Sequence, residues 1–322
     1  MTFSRVAGTG GYLPERIVTN AEIERLVDTS DEWIRERTGI RQRHVADDSE
    51  STCDLAERAA RRALDAAGAG SAEVDLVVVA TTTPDRIYPA TACRLQARLG
   101  IHGCPAFDVQ AVCTGFIYAL AVADKFIRTG DSRCALVVGA DTHSRLLDWT
   151  DRGTCILFGD GAGAVVLEAG EEPGILSTHL HADGSYEDLL YIEGGLAYAR
   201  GRFAPGGGYM KMRGSEVFRM AVRTLHRIVD ETLGAHGMQG GDVDWLIPHQ
   251  ANHRIIEATA RKLHMPLERV VETVAEHGNT SSASVPLALD VAVRDGRIQP
   301  GDLLLLEAFG GGFTWGTALI RY

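Results

Sequence analysis

This chain repeats itself, and the repeat limits its fold more than any other feature. VDWLIPHQAN at Val243–Asn252 corresponds to VDLVVVATTT beginning at Val74, 169 residues earlier. GDLLLLEAFG from Gly301 matches GDSRCALVVGA from Gly130 at an offset of 171. FGGGFTWGTALI from Phe309 echoes FGDGAGAVVL from Phe158 at an offset of only 151, so the first copy carries extra residues near 142–157. Preserved order at a near-constant offset reads as duplication of a whole structural unit. Each copy runs strand, helix, strand, helix-opening turn, strand, strand. Uniformly apolar runs such as VDLVVVA suit strands covered on both faces. Their alternation with helices predicts a layered α/β architecture with mainly parallel sheets. The halves divide at 1–170 and 171–322, and a pseudo-twofold would set Cys113 facing its counterpart, the turn at Gly278–Ser284.

Phe107 to Leu120, FDVQAVCTGFIYAL, passes from a short apolar strand to a helix at Cys113. Phe116, Ile117, Leu120 and Ala121 then recur with the spacing of one helix face. A thiol at that changeover meets unpaired backbone N–H groups and the positive end of the helix dipole, and both favour thiolate. The same N–H groups can hold an oxyanion on a carbonyl attacked by the sulfur. Cys113 is therefore a candidate nucleophile, although an inert cysteine buried at a strand–helix junction fits the same local pattern.

The repeat supplies it with partners. The counterpart turn reads EHGNTSSASVP and contains Asn279, one of three asparagines in the chain with Asn20 and Asn252. Asn252 ends IPHQAN, in which His249 follows an apolar strand at its carboxyl end, where open α/β sheets place their chemistry. Duplication brings Cys113, His249 and Asn279 to three strand ends that can share one cleft.

Composition narrows the classes. With 32 Lys and Arg against 43 Asp and Glu the formal charge is −11, which disfavours nucleic acid as the main partner. No window approaches the ~20 apolar residues of a membrane span. Six cysteines, Cys53, Cys93, Cys104, Cys113, Cys134 and Cys155, show neither a C-x-x-C pair nor zinc-ligand spacing. A soluble protein in a reduced, cytoplasmic setting is expected. Near the N-terminus, DEWIRERTGIRQRH sets Arg35, Arg37, Arg41 and Arg43 beside Trp33. An aromatic face among guanidinium groups can stack an adenine and pair phosphates, and the same residues also suit a solvated basic face. Arg219, Arg223 and Arg227 at four-residue intervals, with Arg254, Arg261 and Lys262 after HQAN, form a second basic face on an acidic protein.

Together, DEWIRERTGIRQRH, FDVQAVCTGF, TDRGTCILFGDGAGA, IPHQANHRI, GNTSSASVP and FGGGFTWGTALIRY make the chain similar, end to end, to the β-ketoacyl-acyl-carrier-protein synthase III family. The resemblance implies a thiolase-like αβαβα sandwich, usually assembled as a homodimer. It implies decarboxylative condensation of an acyl-CoA primer with malonyl-acyl-carrier protein and no metal or redox cofactor. Cys113 would be the nucleophile and His249 and Asn279 its partners. Cys113 and Gly311 would give the oxyanion-hole N–H groups. Trp33, Arg37, Arg152 and Asn252 would bind coenzyme A, Tyr88, reaching across the dimer, and Phe158 would shape the acyl pocket, and Arg254, Arg261 and Lys262 would dock the carrier protein. A ring at Tyr88 favours short primers, but pocket depth also depends on 142–157, with Trp149, leaving branched or longer acyl groups open. A secondary-metabolic condensing enzyme on the same scaffold would differ in its acyl- or aroyl-CoA. A papain-like hydrolase shares the order Cys, His, Asn but carries a Cys-Trp neighbourhood, and a biosynthetic thiolase needs a C-terminal cysteine where none follows Cys155.

Overall fold

The computed structural model describes residues 2–193 and 208–322. One sheet has five strands in the spatial order Phe3–Tyr12, Asp160–Gly170, Cys134–Thr142, Leu76–Ala80, Ala106–Val109. Another has four, in the order Ile175–Ala182, Thr314–Arg321, Leu303–Gly310, Trp245–Pro248. The two orders correspond strand by strand. Where the first sheet has Ala106–Val109, the second has only Val270, in a single parallel bridge to Leu246. The internal repeat is thus a repeat of topology, with 143–159 inserted in the first half where the second has 311–313.

The sheets are mixed and not mainly parallel. Leu76–Ala80 runs parallel to both its neighbours, as Trp245–Pro248 does to Leu303–Gly310. Asp160–Gly170 and Thr314–Arg321 are antiparallel to the strands on either side of them. The cause is the connection. A parallel neighbour needs a long crossover, whereas Gly310 to Thr314 is a tight return and 143–159 brings the chain back with only short helical turns.

Strand periodicity places the layers. Leu76, Val78 and Ala80 face a central layer formed by helices Gly115–Thr129 and Ser284–Arg294, and from the other side Leu304, Leu306 and Ala308 meet the same helices. Covered by both sheets, these helices are apolar nearly all round, as buried helices are. Val77 and Val79 face outward onto the alanine-rich helix Thr52–Ala67. Leu303 and Leu305 face helices Gly214–Gly234 and His253–Lys262. This is the αβαβα sandwich. The short helix Asp31–Thr38 crosses to the second half and buries Ile34 in the same cluster as Leu303 and Leu305.

Between the halves the backbone packs closely. A Cβ on Gly139 would lie 2.3 Å from the Ser282 carbonyl oxygen, so only glycine lets the second-half turn rest on the end of Cys134–Thr142. Elsewhere the core holds an unpaired carboxyl. Glu307 faces the outer helices opposite Thr317, 1% exposed, and neither carboxyl oxygen has a hydrogen-bond partner among the described residues. Burial pushes this carboxyl up to about 8, against a weaker opposing effect of Thr259. Between about pH 4.5 and 8 the folded chain therefore holds a proton that the unfolded chain releases, and stability falls as pH rises through that window. Glu307→Gln should melt higher than the parent at pH 8.5, by about 2–4 °C for each kcal/mol recovered, with the gap shrinking towards pH 5. Thermal melts showing an equal gap at both pH values would contradict this account.

Candidate active site

Cys113 sits in the turn Val112–Thr114, between strand Ala106–Val109 and helix Gly115–Thr129. Val112 adopts φ +49°, a left-handed conformation that is strained for a β-branched residue and costs on the order of 1–3 kcal/mol. The repeat offset of 169 makes Ser281 its counterpart. Ser281 has φ +52° and opens the turn Ser281–Ala283 into helix Ser284–Arg294. The same strained entry is thus built twice, and the two turns meet: a Cβ on Gly115 would stand 3.4 Å from that of Ser282. Asp141, at the end of the central strand, holds the junction. One carboxylate oxygen accepts from the Thr82 N–H and from the Thr81, Thr82 and Thr83 hydroxyls, and the other accepts from Ser282 N–H and its hydroxyl.

A cavity of about 530 Å³ opens above this junction, and Cys113, His249 and Asn279 all line it. His249 follows strand Trp245–Pro248, as the sequence places it, and its N–H donates to the Glu307 carbonyl at 2.8 Å. Gln250 pins the loop behind it, its amide donating to the Pro248 and Val271 carbonyls and its oxygen accepting from the Thr273 and Val274 N–H groups. Asn279 does not end a sheet strand. It follows the short helix Val274–His277 and makes one bridge to Phe158, because the second half reduces that strand to Val270. Its Oδ1 accepts from the Ser281 N–H at 2.9 Å, and its amide N–H groups have no acceptor among the described residues, so they can donate into the cavity.

Burial sets the charges. The Cys113 thiol is pushed up to about 12, mainly by desolvation, while Ser281 and the residue's own N–H act against it and Asp141 adds to it. The helix opening favours thiolate, but desolvation outweighs it. Burial, with a smaller contribution from His143, pushes the His249 imidazole down to about 3, and its Nδ1 lies 2.5 Å from Ser284 Oγ. Burial thus favours the neutral form of both the thiol and the imidazole.

The other sequence-derived candidates separate into groups. Phe158 lines the cavity and is 2% exposed, whereas Tyr88 is 83% exposed and lies outside the cavity of its own chain. Gly310 lines the cavity, where a Cβ would come 2.8 Å from Cys113 N, and Gly311 follows it. At the mouth, the Arg37 and Arg152 guanidinium groups lie 5.7 and 4.9 Å from the Trp33 ring centroid. Asn252 caps helix His253–Lys262 through the Arg254 N–H and donates to the Arg37 carbonyl, tying two sides of the mouth together. Arg254 lies over the Phe218 ring at the same mouth. Arg261 and Lys262 stand apart from it, paired with Glu257 and Asp230. Reasoning from residues missed Asp141, Gln250, Ser281 and Ser284. The available signals were the serine run beside Asn279 and the threonine run after Ala80.

Layers that repeat around a shared pair of buried helices define a thiolase-like enzyme. Within that class, the family model described as 3-Oxoacyl-[acyl-carrier-protein (ACP)] synthase III matches residues 107–184, and the model of its C-terminal part matches 233–322. The chain is 68% identical to the beta-ketoacyl-[acyl-carrier-protein] synthase III of Thioalkalivibrio sulfidiphilus over the full length of both. Its fold matches the 3-oxoacyl-[acyl-carrier-protein] synthase III of Aquifex aeolicus VF5 with a TM-score of 0.93 at 46% identity, covering 99% of this chain and all of that one. The priming beta-ketosynthase of the R1128 polyketide pathway matches with a TM-score of 0.93 at 39% identity, covering 99% of this chain and 96% of that one. The chain belongs to the β-ketoacyl-[acyl-carrier-protein] synthase III family.

A thiol held this far up should be alkylated by iodoacetamide at a rate that climbs about tenfold per pH unit from pH 7 to 9.5 without levelling. Peptide mass mapping of Cys113 reads it. A plateau below pH 8 would mean that the sulfur is already ionised.

Proposed function

We propose that this chain starts fatty acid synthesis by condensing a short or branched acyl-CoA, such as acetyl-CoA, with malonyl-acyl-carrier protein. The observation that carries the reading is the convergence of Cys113, His249 and Asn279 on one cavity whose mouth joins Trp33 to arginines. The Cys113 sulfur, losing its proton, attacks the acyl-CoA thioester. The oxyanion forms against the N–H groups of Cys113 and Gly311, and coenzyme A leaves as thiolate and takes up a proton. Trp33, Arg37, Arg152 and Asn252 hold the nucleotide end. Malonyl-carrier protein then loses carbon dioxide, and the electron pair of the broken bond becomes an enolate. Neutral His249 and the Asn279 amide both donate to its oxygen. Its carbon attacks the acyl-Cys113 carbonyl, expels the sulfur and gives 3-oxoacyl-carrier protein. The departing carboxylate supplies the carbanion, so the chemistry calls for neither a metal nor a redox cofactor.

Carrier-protein docking falls to the mouth. Arg254 presents its charge there without a carboxylate partner among the described residues, whereas Arg261 and Lys262 act at longer range, their charges already met by acids. A homodimer would turn the exposed Tyr88 into a wall of the partner's acyl pocket, opposite Phe158, and so bound primer length. No helix among the described residues is long and apolar enough to cross a membrane, which suits the cytoplasmic setting proposed here.

Incubation with a panel of acyl-CoAs should leave one acyl mass on the protein and identify the primer. Cys113→Ala should abolish that mass. His249→Ala and Asn279→Ala should still acylate but lose condensation by about 100–1000-fold, as expected when one donor to an oxyanion is removed. Wild-type condensation by either variant would overturn the assignment.

A further inference from the structure

We propose that the serine-rich turn after Asn279 supplies two positioning residues that act on different halves of the reaction: Ser284 fixes the proton of His249, and Ser281 steadies the sulfur of Cys113. The inference rests on the roles given to Cys113 and His249 above.

Ser284 comes first, on direct contact. Its Oγ lies 2.5 Å from His249 Nδ1, and both residues are buried. The same oxygen accepts the Gln250 N–H at 3.4 Å, and among the described residues His249 Nδ1 is the one acceptor its own proton meets. A neutral imidazole carries one proton, and if Nδ1 accepts, that proton sits on Nε2. The ring lines the cavity, so the substrate meets a donor and not a lone pair. Without the hydroxyl either tautomer is open, and the Nδ1–H form gives an enolate oxygen nothing.

Ser281 is fully buried, and its hydroxyl has no hydrogen-bond partner among the described residues. An unmet buried hydroxyl costs about 1–3 kcal/mol, and the left-handed backbone adds strain that a glycine would avoid. Two features tie this cost to the active site. The Ser281 N–H is committed to Asn279 Oδ1, which keeps the turn from swinging away, and the turn Ser281–Ala283 packs against the turn Val112–Thr114 that carries Cys113. A thiol accepts hydrogen bonds weakly and a thiolate strongly, so the unmet hydroxyl gains an acceptor when the proton leaves the sulfur. Ser282, between them, is different: its hydroxyl donates to Asp141 and faces the Ala80 carbonyl, which is a structural role.

Four variants of the full chain separate these roles: Ser284→Ala, Ser284→Thr, Ser281→Gly, which tolerates the positive φ, and Ser282→Ala. Acylation by acetyl-CoA and condensation on enzyme acylated beforehand are timed separately by mass. Ser284→Ala should lose condensation by about 10–100-fold and keep acylation within about twofold, with Ser284→Thr recovering most of the loss. Ser281→Gly should do the reverse, and its Cys113 should react with iodoacetamide about tenfold more slowly at each pH below 9, a shift of about one pKa unit. Ser282→Ala should lower the melting temperature and scale both half-reactions alike. Nitrogen-15 spectra of the wild type should show the His249 proton on Nε2. A proton on Nδ1, or equal losses in both half-reactions for Ser284→Ala or Ser281→Gly, would overturn the proposal. The spectra and the alkylation involve no substrate, so their agreement alongside an active Cys113→Ala enzyme would fault the functional reading instead.

Discussion

The seam where the turn Ser281–Ala283 lies on the strand end at Gly139 holds this molecule to its purpose. Each half brings an incomplete set of groups: the first has the sulfur, the second the imidazole and the carboxamide. What fixes their mutual position is short-range and mostly backbone. Gly139 admits the Ser282 carbonyl where a methyl group could not fit, and Asp141 takes both polar groups of Ser282 while gathering the threonines after Ala80. A carboxylate accepting several hydrogen bonds in a dry interior has no cheap alternative arrangement, so the contact is specific as well as close. Strain at Val112 and Ser281 persists because the two central helices are clamped between sheets on both sides.

Burial also favours neutral forms in the site, which suits the proposed condensation better than hydrolysis. A cysteine hydrolase uses a thiolate beside an imidazolium, each stabilising the other's charge. Here desolvation drives the sulfur and the ring towards neutrality from opposite directions. In the proposed reaction neutrality would cost acyl transfer, because thiolate must be generated for attack, and would serve decarboxylation, because a neutral ring can donate to an enolate and cannot protonate it outright.

Much of this was legible in the chain. VDLVVVA and GDLLLLEAFG marked which segments would be buried strands, and the near-constant offset paired them across the halves, so a layered α/β architecture and the meeting of Cys113 with the 278–284 turn followed, while the αβαβα order came from the family resemblance. Strand direction was not legible, since an apolar run reads the same whether its neighbour arrives by a crossover or by the three-residue return at 311–313. The position of Asn279 was legible in place but not in kind, because nothing local shows that the second half would spare only Val270 for its fifth strand. Asp141, Ser281 and Ser284 stayed hidden for another reason. Asp, Ser and Thr at strand ends and helix openings are ordinary capping residues, and only three-dimensional proximity distinguishes a cap from a group that governs a reacting atom.

The mouth of the cavity follows the same logic of one residue bound to two duties. Asn252 caps the helix that carries Arg254 and also holds the carbonyl of Arg37, so the surface suited to a carrier protein and the surface suited to a nucleotide share a covalent and hydrogen-bonded frame. Trp33 is set on that frame by Ser30, which caps its helix through the Trp33 N–H, and by Ile34, buried in the second half's core. A segment from the first half is thus anchored in the second, directly above the cavity that the two halves enclose. In the proposed reaction the two substrates would pass the same opening in turn, and one rim presents both an aromatic plate and, on the other side, a guanidinium without a carboxylate partner among the described residues.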